Sequence, residues 1–473
     1  MLLLLVVDHA QLRPVAGADE LPHRERIDHR PVVVVRPRVQ PLDQVLRPAR
    51  QAQEILELSP VQPDAPAVRA PVDIHRVFHA DALHHHSVLR AADLRVVRLF
   101  HGPSLPSPPA HARPPFRPNA PLPRSPALPQ PTPRSERWFD AHLDLAYLAE
   151  VGRDMHTSVD DCRGRYQPAA VTLPTLKEGR VTACLGTIFT EPVDPNDPHA
   201  EDGPFAYPAD DADAAWRAGM RQLKLYHAWR DAGLIELLPR RGSVVPKGSS
   251  APLRLGVLME GADPITSPDE AHEWVAQGVI AVGLAWWTPS RYAGGNGTTT
   301  GLTPIGRELV ETLDRLGIVF DASHLSDASL DGVLEHASGP VIASHSNARA
   351  LMEPGEQRHL TDEHAKEIAR RGGVIGLNLC SRFLRTGIAK HDKERATIED
   401  CRRHLEHWRD LVGPKHIGLG SDMDGGFAAD RLPENINLPA HLAKLADHLA
   451  EHGWNDEDIH AFAWGNWAGF WGI

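Results

Sequence analysis

The chain has 473 residues, a formal net charge of −12 and four cysteines, Cys162, Cys184, Cys380 and Cys401, none of them in a Cys-x-x-Cys pair. Cysteines this scattered point to reduced thiols in a cytoplasmic protein rather than to a disulfide framework. No apolar run approaches the ~18–20 residues that a membrane helix needs, and no basic cluster offers a nucleic-acid surface.

The first 135 residues differ in kind from the rest. They hold 23 of the 42 prolines and 17 arginines against 12 acidic residues, and no lysine, tyrosine, tryptophan or cysteine. This is not a core-forming mixture. It reads as a disordered leader, or as a translated upstream stretch that the functional protein does not need. The opening "MLLLLVV" is too short for a secretory signal or a span, and the "HHH" at 84–86 is assigned no role. The functional domain is placed at residues 136–473.

From residue 138 short β-rich runs recur in chain order: 138–144, 181–190, 253–260, 278–286, 316–324, 340–345, 372–379 and 416–422. Helical spacing fills most of the gaps. In 303–317, Ile305, Leu309, Leu313 and Leu316 trace one stripe; 361–373 begins with a capping Thr361 and ends in Gly372. Eight apolar strands alternating with helices predict a parallel sheet covered on its outside, closed as a (β/α)₈ TIM barrel of about typical size. A doubly wound open sheet is the second architecture considered.

Barrel enzymes place their chemistry at the C-terminal strand ends. Here strand one ends in "FDAHLDLA", with His142 and Asp144 two residues apart and so on one face of an extended chain. Imidazole and carboxylate are both common ligands for zinc-like ions; the alternative is a His near a turn and an Asp capping a helix at 145–151. The other strand ends offer Glu260, His324, His345 and Asp422. Taken singly, each has a structural alternative. His324 could cap the next helix, His345 could be a satisfied turn histidine, Glu260 could cap a loop, and Asp422 with Asp424 could form a turn. Six residues of ligand type at five strand ends together predict a metal centre.

These motifs resemble the membrane (renal-type) dipeptidase family of zinc peptidases, within the amidohydrolase superfamily. The resemblance covers residues 138–473 and rests on "DAHLDL", "MEG", "DASHLSDA", "SHSNARAL" and "GLGSDMDG", with "WGNWAGFW" as a looser match. It implies two divalent metal ions, zinc in the family, bridged by Glu260, with His142 and Asp144 on one ion and His324 and His345 on the other. Asp422 would then move the proton, and Arg358 in "GEQRHLTDE" would hold a substrate carboxylate, its alternative being a solvated loop arginine. Where the family shows a substrate-contacting histidine after strand four, this chain has Trp286, whose indole donates but cannot accept. Trp286 or Tyr292 is expected to take over that contact, while Trp287 reads as packing. The resemblance further implies a homodimer and hydrolysis of a dipeptide. The alternatives are N-acyl amino acids, lactams or lactones at the same centre, or a non-catalytic barrel serving as a binding protein.

Overall fold

The computed structural model describes residues 137–193, 203–243, 253–390 and 392–473. The expected leader and the histidine run at 84–86 lie outside them. Eight parallel strands run β1 Trp138–Leu143, β2 Val181–Phe189, β3 Arg254–Glu260, β4 Val279–Gly283, β5 Val319–Asp321, β6 Val341–Ile342, β7 Ile375–Leu377 and β8 Ile417–Leu419. They pair in the order β7-β8-β1-β2-β3-β4-β5-β6, and a parallel bridge from Ala343 to Ile375 joins the two ends. The sheet is therefore a barrel, not an open doubly wound sheet. Each of the eight expected runs contains one strand, and several strands are shorter than the runs that announced them. At β5 the reason is local: the Asp321 carboxylate accepts from Ser323 N at 3.0 Å, and His324 turns to φ 66°, so the ladder stops at Asp321.

Alternation sorts the strand side chains. Phe139 and Ala141, Ala183 and Leu185, Leu258, Ile280, Val319 and Ile342 join one buried cluster, and their neighbours Cys184, Leu255, Val257 and Met259 join the larger cluster beneath the helices. The closing "WGNWAGFW" belongs to the first cluster. Trp467 stacks on Phe139 with ring centroids 6.0 Å apart and donates from its indole to Leu419 O at 3.0 Å. Asn466 donates to Pro414 O and Ile417 O, both at 2.7 Å. A Cβ at Gly418 would overlap the Trp467 indole, so the residue facing it in β8 has no side chain. This plug closes the end where the strands begin and leaves the opposite end for the site.

Among the helices, Pro304–Arg315 buries Gly306, Leu309, Val310 and Leu313. Ile305, expected in that stripe, is 37% exposed because it stands in the first turn, off the buried face. In Asp362–Arg370 the Thr361 side chain caps His364 N and Gly372 lies just beyond the end at φ 74°, both as the sequence suggests.

Candidate metal centre

The expected ligands converge at the C-terminal strand ends. His142 Nε2 lies 3.5 Å from Glu260 Oε2 and 3.7 Å from Asp144 Oδ1. On the other side, His324 Nε2 and His345 Nε2 are 3.0 Å apart and lie 3.5 and 3.7 Å from Glu260 Oε1. One carboxylate thus stands between two ligand pairs, a different oxygen toward each. Asp422 joins His142 and His345, one potential ligand atom from each lying within 4.8 Å of the others.

For Asp144 and His324 the structural alternatives are not what the structure shows. Asp144 occupies the position before helix Leu145–Glu150, yet its side chain makes no cap bond; it accepts instead from the Thr187 hydroxyl. The cap of helix Asp327–His336 is Ser326, not His324. Asp422, at φ 59°, does sit in a turn, but its Oδ2 accepts from Asn378 Nδ2 at 2.9 Å. A Cβ at Gly425 would overlap Asp422 Oδ1, so glycine there leaves the carboxylate its place. Non-glycine residues in the left-handed region are costly, and His324 and Asp422 are two of the few in the described chain.

Cations fit this donor set. His142 Nε2 and Glu260 Oε1 are buried without a hydrogen-bond partner, and separations of 3.5–3.7 Å are long for hydrogen bonds but suit neighbouring ligands in the near-tetrahedral shell of an ion with bonds of about 2.0–2.2 Å. Burial, followed by the neighbouring carboxylate of Glu260, pushes Asp144 up to about 6. Burial foremost raises Asp422 to about 8. Burial works to lower His142, but Glu260, Asp144 and Asp422 outweigh it and hold the imidazole at about 10. His324 and His345 are driven well below the usual histidine range by burial, with Arg358 and His142 adding to it. A bound cation would offset this crowded carboxylate charge, displace the proton that the carboxylates hold on His142, and take the neutral imidazoles of His324 and His345 as ligands.

The outer shell orients the imidazoles, and it was missed at the sequence level. Ser344 Oγ donates to Asp321 Oδ2 at 2.5 Å. With its proton so committed, it accepts from His142 Nδ1 at 3.1 Å and His345 Nδ1 at 2.7 Å, which turns both Nε2 atoms toward the centre. Asn296 Oδ1 does the same for His324 Nδ1 at 2.9 Å. Asp140 accepts from Ser421 N at 2.8 Å and Ser421 Oγ at 2.5 Å, tying β1 to the chain just before Asp422. The signal was present as a repeat: Phe-Asp-Ala occurs at 139–141 and again at 320–322, each time placing a buried Asp just ahead of a ligand histidine. Asp424 is structural. It pairs with Arg153 and accepts from Ala170 N and Val171 N.

Of the expected substrate contacts, Arg358 is buried rather than solvated. Its Nη1 donates to Ser346 Oγ at 3.3 Å, Nε and Nη2 have no partner, and the guanidinium lies 5.0 Å from the Phe383 ring centre. Trp286 is half-buried between Phe189 and His324, with ring centroids 5.1 and 5.9 Å away. Tyr292 is placed elsewhere. Its ring is fully buried in the core and its hydroxyl donates to Ile265 O, so it cannot stand in for a histidine at the centre. Trp287, expected in packing, is 48% exposed.

Residues 134–472 match the family described as membrane dipeptidase (peptidase family M19). The chain is 30% identical over 272 residues to an uncharacterized protein in the pqqA 5′ region of Klebsiella pneumoniae, covering 55% of this chain and 96% of that one. It is 29% identical over 167 residues to human dipeptidase 3, covering 35% of this chain and 32% of the human protein, so the match spans about a third of that relative's length. The crystal structure of a metallo peptidase from Rhodobacter sphaeroides, liganded with a phosphinate mimic of the dipeptide L-Ala-D-Ala, superposes with a TM-score of 0.60 at 26% identity, over 72% of this chain and 99% of that one.

Proposed function

The chain belongs to the membrane dipeptidase family, and from that premise we propose that its centre hydrolyses the amide bond of a dipeptide bearing a free carboxylate. The observation that carries this reading is Glu260, with Oε2 turned to His142 and Oε1 to His324 and His345. His142 and Asp144 would hold one divalent ion, His324 and His345 a second, with Glu260 shared; mixed imidazole and carboxylate donors favour zinc. Such ions, when bound, supply Lewis-acid polarisation of a carbonyl and acidify water.

The remaining work falls to the protein's own groups. Asp422, steadied through one oxygen by Asn378, is the base that takes a proton from the attacking water and returns it to the leaving amine. Arg358, with two guanidinium nitrogens unpartnered, grips the substrate carboxylate, for which its planar fork is suited. Trp286 offers an aromatic surface and one N–H donor beside His324. That surface favours a second reading, an N-acyl amino acid whose acyl group packs on the indole. A homodimer is the assembly expected of the family.

The test is metal analysis of the purified full chain, followed by a screen of L,L and L,D dipeptides and N-acyl amino acids. About two ions per chain, with activity lost on chelation and restored by zinc, is the expected result. A fully active metal-free preparation would end this reading.

A further inference from the structure

We propose that Glu399, His448 and His452 form a separate transition-metal site that staples two helices on the outside of the barrel. Glu399 lies in the first turn of helix Ile398–Val412, His448 in the last turn of helix Leu442–Glu451, and His452 directly follows that helix. A spacing of four residues puts both imidazoles on one helix face, and their ring centroids are 4.2 Å apart. One potential ligand atom from each of the three side chains lies within 4.8 Å of the others. His448 Nε2 and Glu399 Oε2, at 3.0 Å, already stand near the ~3.4 Å that separates two ligands on a tetrahedral ion with bonds of ~2.1 Å.

The ring of His452 is set for this role. Its Nδ1 lies 2.8 Å from the His448 carbonyl oxygen, which can only accept, so Nδ1 carries the proton and Nε2 the lone pair. A backbone carbonyl on the second ring nitrogen is a usual partner of a ligating histidine. Glu399 is also held in place: Arg402 donates to both its oxygens at 2.7 and 2.5 Å. That contact first, with His448 contributing, draws the carboxyl down to about 2, so it is an anion at any working pH. Arg402 also pairs with Glu406, so its charge is divided between two carboxylates and not directed to Glu399 alone.

The site is open to solvent, with the Glu399 and His448 side chains 42% and 24% exposed. Two imidazoles and a single carboxylate select a borderline ion such as zinc, nickel or copper over magnesium or calcium, which prefer oxygen. An ion there would tie the helix preceding β8 to the next long helix after it, bracing the barrel unit that carries Asp422.

The experiment uses the full chain with its catalytic ions in place. Wild type, His452→Ala and the gentler His452→Asn are dialysed against graded zinc, with bound ion counted and Tm measured in parallel. Wild type should bind one ion more per chain than either variant, or bind it on the order of tenfold tighter or more. Its Tm should rise with zinc where theirs stays flat. Nickel should reproduce the rise and magnesium should not, while hydrolysis at low zinc is the same in all three. Because the readout is a difference between variants, it does not depend on how many ions the catalytic centre holds. Equal ion counts and equal midpoints in wild type and both variants would overturn the proposal, as would an equal Tm response to magnesium.

Discussion

Replacing Ser344 by Ala removes one hydroxyl from the outer shell and should loosen both ions together. In the structure that hydroxyl accepts from His142 at 3.1 Å and His345 at 2.7 Å and donates to Asp321 at 2.5 Å. The two histidines lie on opposite sides of Glu260, so under the proposed two-ion arrangement a single oxygen would set the tautomer of one ligand on each ion. Loss of an outer-shell partner typically costs 10–100-fold in metal affinity, and the shorter contact predicts the larger loss at the His345 side. Folding should suffer as well. Asp321 Oδ2 and two Nδ1 groups are left buried without this partner, at ~1–3 kcal/mol for an unsatisfied group. The assay is chelator competition: wild type and S344A are titrated with a chelator, bound metal is followed, and denaturant unfolding is run on the same samples. Saturating zinc should return most of the activity, because the hydroxyl contacts the Nδ1 atoms behind the rings and not the Nε2 atoms that face Glu260. Release midpoints within twofold of wild type would refute the argument that this serine sets the tautomers.

Asp422→Asn keeps size and an acceptor for Asn378 but cannot take a proton, so kcat should fall by ~10²–10⁴ with the fold intact; near wild-type turnover would place the proton transfer elsewhere. Arg358→Ala should raise KM mainly for substrates with a free carboxylate and spare amidated ones, because it removes a binding contact rather than a step of chemistry. Equal effects on charged and amidated substrates would defeat the clamp assignment. A chain beginning at residue 136 is expected to fold and hydrolyse as well as the full chain, and loss of soluble expression or activity on truncation would show that the first 135 residues are needed.

What could be read from the sequence was whatever depends on local pattern. Eight apolar runs with helical spacing between them imply a parallel barrel, and ligand-type residues at the strand ends follow from that architecture. Each of the side chains that meet at Glu260 lies within a few residues of a strand end and needed no knowledge of its neighbours. Ser344 was invisible because its meaning depends on two partners, Asp321 and His142, that are 23 and 202 residues away. A serine beside a histidine otherwise looks like any turn. Arg358 was undecided for a similar reason: a loop arginine is solvated or buried according to where the loop folds, and only the structure sets it against Phe383. Tyr292 went astray because the segment after β4 doubles back to the carbonyl of Ile265, a path that no periodicity records.

The least legible feature is the backbone at two of the functional positions. His324 and Asp422 adopt φ values of 66° and 59°, a region in which glycine or asparagine would be the comfortable choice. Asp and His enter this region more readily than most side chains, yet the short strands β5 and β8 end sooner than their apolar runs suggest. The surroundings impose the strained geometry: Asp321 holds Ser323 N just before His324, and Asp140 holds Ser421 N and Oγ just before Asp422. In both cases a buried carboxylate on a strand fixes the residue that immediately precedes the functional one, so the side chain is aimed by the backbone rather than by its own rotamer. The chemistry needs an imidazole and a carboxylate at these two positions whatever their backbone conformation costs, and local propensity permits the turns there without locating them.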